Sequence, residues 1–73
     1  MIKELETVVL TKDLSKRGLK KGDIGTIVHV HPDSGYEVEF VTLGGDTVAI
    51  VSLKEADIRL TGKREIPHVR AVA

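Results

Sequence analysis

Read for alternation of apolar and polar positions, the chain is a run of short β-type segments separated by charged or glycine-bearing stretches. Glu6 to Leu10 predicts a first strand with Thr7-Val8-Val9-Leu10 at its heart, rich in the β-branched residues that suit a pleated surface. Thr11 to Asp23 is crowded with Lys, Arg, Asp and Ser, and its apolar residues are too few to make a helical face. It reads as a long loop pinned by Leu14 and Leu19. Ile24 to His31 predicts the second strand, entered through Gly22 and Gly25, where glycine serves a positive φ, a bulge or a close backbone approach. Val28 and Val30 share one parity and Ile27 the other, so its core side stays open unless a bulge near Gly25 or within Thr26 to His29 reconciles them.

Pro32-Asp33-Ser34-Gly35 is a turn, with the glycine expected in the left-handed position. Tyr36 to Leu43 predicts the third strand, with Tyr36, Val38 and Phe40 on one face. Gly44-Gly45 signals a two-residue hairpin. If Leu43 faces Asp46, then Val41 faces Val48, Phe40 faces Ala49, Glu39 faces Ile50 and Val38 faces Val51. Val38, Phe40, Ala49 and Val51 then form a core face, and Glu39, Val41, Val48 and Ile50 a mixed outer face. Ser52-Leu53-Lys54-Glu55 matches a capping box, Glu55-Ala56-Asp57 gives one 3-10 turn, and Ile58-Arg59-Leu60 a brief last strand. The expected class is all-β: five short strands, a 3-10 turn before the last, and a C-terminal tail. Residues 1–61 form the domain. Residues 62–73 form a basic tail that docks or frays, with Pro67 barring a continuous helix or central strand.

Composition narrows the function. The chain has 73 residues, enough for one small core. It has no cysteine, which excludes disulfides and thiolate metal sites and suits a reducing cytoplasm. The first six residues carry acids and no apolar run, so no signal peptide is expected, and no stretch has the length of a membrane span. Eleven basic residues balance eleven acidic ones, whereas a dedicated nucleic-acid binder carries a positive excess.

The candidate chemistry is sparse. His29 and His31 at i, i+2, with His68, could meet on zinc or copper, but without cysteine or a nearby acid outside a turn they read as surface residues. No metal site and no cofactor is expected. Glu37 and Glu39 lie on an exposed strand without the cleft that a two-carboxylate hydrolase needs. No serine or threonine has a matched base. No catalytic residue is expected, and the chain reads as a non-enzyme. The basic loop Lys12, Lys16, Arg17, Lys20 and Lys21 suits phosphates or an acidic protein, although Asp13 and Asp23 offset part of its charge. Val41, Val48 and Ile50 put apolar surface on the wet side of the hairpin, to be covered by a partner, a second copy, or Ile66, Val69 and Val72 of the tail.

Five short strands, a long first loop and one turn before the last strand resemble an SH3-like barrel. Leu19 to Val30 also resembles the KOW pattern of translation and transcription factors, in which a glycine precedes a strand. Glu4 to Asp13, Gly18 to Val30, Tyr36 to Leu43 and Gly62 to His68 together resemble small bacterial proteins of the domain of unknown function 4926 family. That resemblance implies an SH3-like fold and carries over no functional residue. Proline-motif recognition is set aside, because its groove is built from stacked aromatics and Tyr36 and Phe40 are the only ones here. The reading is therefore a cytoplasmic protein–protein interaction module, accessory or regulatory, of antitoxin- or immunity-like kind. Its partner would be a protein, encoded next to it, or a second copy making a homodimer. The binding residues are Val41, Val48, Ile50, Lys16, Arg17, Lys20 and Lys21. A KOW-like nucleic-acid-binding protein is the alternative, opposed by zero net charge and the lack of stacking platforms.

Overall fold

The structure, a computed structural model, describes residues 2–72. Five strands follow in order: β1 (Thr7–Leu10), β2 (Ile24–Val30), β3 (Gly35–Val41), β4 (Thr47–Lys54) and β5 (Ile58–Leu60). Two 3-10 turns, Ser15–Arg17 and Glu55–Asp57, precede β2 and β5. All pairings are antiparallel in one sheet of order β4-β3-β2-β1-β5. Its two edges, β4 and β5, are consecutive in the chain and are joined by the second 3-10 turn rather than by a ladder. The sheet nevertheless wraps on itself, because all five strands contribute to one buried cluster: Val8 and Leu10, Ile27, Val38 and Phe40, Val51 and Leu53, and Ile58. Strand number, long first loop and 3-10 turn are those expected of the all-β reading.

The long loop is pinned as its apolar residues predict. Leu14 and Leu19 bridge each other, and Leu19 is buried in the core. Asp13 and Asp23 do the remaining work, accepting the backbone N–H groups of Lys21 at 2.9 Å and Lys20 at 2.8 Å.

A bulge resolves the parity of β2. The β2–β3 register shifts between Ile27 and His29, leaving Val28 unpaired and exposed. Ile27 and Val30 then face the core together. On the β1 side, Ile27 accepts from the Leu5 N–H at 2.7 Å and donates to the Glu6 carbonyl at 3.0 Å, so two residues oppose one there as well. Ladders interrupted on both flanks bend the strand, and this is where the sheet turns over its core. The two glycines ahead of the bend differ in role. Gly22 has φ +97°, a left-handed turn position. Gly25 is extended and buried, and a Cβ there would lie 2.6 Å from Val38 Cγ1 and 2.9 Å from Phe40 Cε2.

Three local expectations need correction. At the β2–β3 turn the left-handed residue is Ser34 (φ 77°), not Gly35, which begins β3. Pro32, Asp33 and Ser34 form a three-residue loop closed by His31 N–H donating to the Gly35 carbonyl at 2.8 Å, the type I plus left-handed form. Gly35 instead starts β3 close to His31, where a Cβ would sit 3.3 Å from the ring and the ring would have to give by a few tenths of an ångström. The β3–β4 loop also has three residues, Leu43 to Gly45. Thr42 N–H donates to the Asp46 carbonyl at 2.8 Å, and Gly45 takes φ 96°. Val41 therefore pairs with Thr47, not Val48. A bulge at Val48 absorbs the extra residue, and the foreseen pairs Phe40–Ala49, Glu39–Ile50 and Val38–Val51 are restored. Third, Ser52 is inside β4, and the capping contact runs from the Lys54 N–H to the Asp57 carboxylate at 3.0 Å.

Candidate functional site

Val41 and Ile50 stand on the outer side of the β3–β4 pair, 51% and 50% exposed. Glu39 lies between them, opposite Ile50, and accepts a hydrogen bond from the Thr47 hydroxyl at 2.8 Å. Val48 does not join them: the bulge turns it inward, half-buried against the core cluster. The outer face is thus smaller and more polar than the strict alternation implied.

The basic loop reaches this face. Arg17, in the first 3-10 turn, donates from Nη2 to the Ile50 carbonyl at 3.4 Å. A predicted cation and a predicted apolar residue therefore become neighbours on the edge of β4. The side chains of Lys16, Lys20 and Lys21 are exposed and form no ion pair among the described residues. Lys12 turns away to the Asp57 carboxylate at 3.0 Å.

His29 and His31 meet edge to face, with ring centroids 4.8 Å apart. Each has its own acid. His31 Nε2 is 2.7 Å from Glu37 Oε2, and His29 Nδ1 is 3.6 Å from the Glu4 carboxylate. The Ser52 hydroxyl donates to the same Glu37 oxygen. The His31 contact first, and Ser52 second, hold Glu37 below the usual carboxylate range. His68 lies apart, in the tail beside a cleft. Among the described residues no group of three or more histidines and acids is arranged to hold a metal.

That cleft brings Val69 and Val72 of the tail over Val41 and Val48, one of the covers the sequence offered, but the latch that holds it is not among the residues the sequence singled out. Between the tail and the sheet is a cavity of about 370 Å³, walled inside by Leu19, Ile24, Phe40, Val41 and Val48, and outside by residues 67–72. Arg70 closes it. Its Nε and Nη2 donate to the two oxygens of Asp23 at 2.8 and 2.5 Å, and Nη2 also donates to the Gly18 carbonyl at 3.0 Å. The Arg70 hydrogen bond chiefly, and the Lys20 N–H after burial's opposing effect, hold Asp23 below its ordinary range. That stabilisation is present above the ordinary carboxylate range and is lost as pH falls from there through the lowered value. The tail begins on a second fork. Arg59 donates from Nη1 and Nη2 to the two oxygens of Glu65 at 2.8 and 2.6 Å. This fork, with the Gly62 N–H, lowers the Glu65 carboxyl to about 2. Forty-seven positions separate Arg70 from Asp23, and no local spacing signals such a pair.

Set against known proteins, the chain matches the family model described as Domain of unknown function (DUF4926) over residues 4–60, which leaves the tail outside the match. No curated protein and no solved structure matches it.

Proposed function

The chain belongs to the DUF4926 family, a family whose description assigns no activity, and from that premise we propose that it is a small non-catalytic module that docks another protein. In this reading it is an accessory or regulatory protein of antitoxin- or immunity-like kind, working in the bacterial cytoplasm. The observation that carries the reading is the junction of Arg17 with Ile50. It joins exposed apolar surface at Val41 and Ile50 to a loop in which Lys16, Lys20 and Lys21 form no ion pair among the described residues, an apolar centre with a charged rim. A partner that suits it has apolar anchors and acids at their edge. The test is co-expression with the product of the neighbouring reading frame. Wild type should co-elute with that product, and Ile50→Lys should abolish co-elution while the variant stays folded by circular dichroism. A free monomer from the wild-type experiment removes the reading.

Lys16, Lys20 and Lys21 favour a second reading, contact with nucleic acid of the KOW type. Titration of RNA and DNA at low salt tests it. Phosphate contacts weaken steeply with salt, so a micromolar shift that vanishes with salt and with Lys→Ala changes on the loop would put this reading first.

A further inference from the structure

The cleft under the tail borders the Ile50 face at Val41 but does not include Ile50, and it carries its own argument. Asp23 is held by contacts within the body of the domain as well as by the tail. Its carboxylate takes the Lys20 N–H at 2.8 Å, its backbone N–H donates to the Lys20 carbonyl at 3.0 Å, and Gly22 beside it donates to the Leu10 carbonyl at 2.8 Å. A fixed carboxylate next to a fixed carbonyl, Gly18 O, presents three acceptors to one incoming group. Arg70 meets all three. A guanidinium can make this fork because its donors are planar and spaced to match a carboxylate; an ammonium cannot.

Between the two forks the tail is held poorly. Ile66 and Val69 are 89% and 74% exposed. Behind the tail lies the cavity of about 370 Å³, with Leu19, Ile24, Phe40, Val41 and Val48 on its inner wall. The segment that sits here satisfies the polar half of the seat and leaves the apolar half wanting.

We propose that the groove closed by Asp23 and the Gly18 carbonyl is a docking site for an extended, arginine-bearing segment of a partner protein, and that Arg70 of the tail is its resident surrogate. A segment with larger apolar residues flanking its arginine than Val69 and Ala71 fills the cavity better, and so displaces the tail. The tail sets a threshold, since a tethered competitor acts at an effective concentration in the millimolar range. The proposal does not depend on the Ile50 face, and Ile50→Lys leaves it unchanged.

The experiment uses the full chain with Arg70→Ala, which vacates the seat, and a fluorescent peptide of the tail sequence, residues 65–72, added in trans. Peptide binding to Arg70→Ala should be about tenfold or more tighter than to wild type, where the tethered tail competes. Replacing the peptide's arginine by lysine should cost at least about tenfold on the same folded variant. A peptide with leucine in place of the residues flanking the arginine should bind tighter than the tail sequence. Adding Asp23→Asn to Arg70→Ala should abolish binding. Equal binding to wild type and Arg70→Ala, or indifference to arginine versus lysine, overturns the proposal. Sedimentation of wild type alone settles the other occupant: a dimer that requires both Asp23 and Arg70 would mean that the groove takes the tail of a second copy, and would also overturn it.

Discussion

Two glycines three positions apart are each required, for unrelated reasons. At Gly22 the backbone needs a positive φ; at Gly25 it needs space, because Val38 and Phe40 lie where a side chain would be. Gly25→Ala forces a methyl against buried core carbons, and overpacking of this kind costs about 1–3 kcal/mol. Urea unfolding should show the loss as a lower midpoint with an unchanged slope. The sequence offers both roles for either glycine, since φ and crowding are not written in residue type. The same limit explains Ser34. Glycine is favoured at left-handed positions, but at the β2–β3 turn the glycine falls one residue later, close to the His31 ring, and Ser34 takes the positive φ. Asp23 and Arg70 mark the other boundary of what single residues disclose: each looks like one surface charge among many until the fold brings them together.

At the scale of the element, the β3–β4 hairpin tests how far turn chemistry reaches. Gly44-Gly45 correctly announces a reversal, and the pairs from Phe40–Ala49 inward follow from it. The glycine pair does not say whether the loop has two residues or three, since both forms use a left-handed glycine. The extra loop residue is cancelled by the bulge, and the residue that changes sides is Val48. Val48→Lys should therefore lower stability by about 1–2 kcal/mol. Ile50→Lys, on the same strand but outside, should stay within about 0.5 kcal/mol of wild type. Thermal unfolding of the two variants side by side checks the inversion. The long first loop was more legible, because Leu14 and Leu19 are its isolated apolar residues and those are the ones that bridge. The capping residue was misplaced by two positions. Ser52 looks like a cap in isolation, but its hydroxyl is engaged across the sheet by Glu37.

For the whole molecule, strand number, class and the 3-10 turn follow from alternation and punctuation alone, since one wrapped sheet is the economical way to bury so few apolar residues. The candidate sites follow less well. The exposed apolar face is real at Val41 and Ile50 and absent at Val48, and the cleft depends on contacts between the tail and the body of the sheet that periodicity does not record. The arrangement of the sheet reaches beyond the native state, into the order in which the protein assembles. β2, β3 and β4 form a meander of near neighbours, whereas β1 must find β5 across fifty residues, as in Val9 with Arg59. Closing so long a loop is entropically costly and slows the contacts that depend on it. The meander can therefore gather first, and the seam between the first and last strands should close late and open early. Native-state hydrogen exchange should find the lowest opening energies along that seam and the highest in β3.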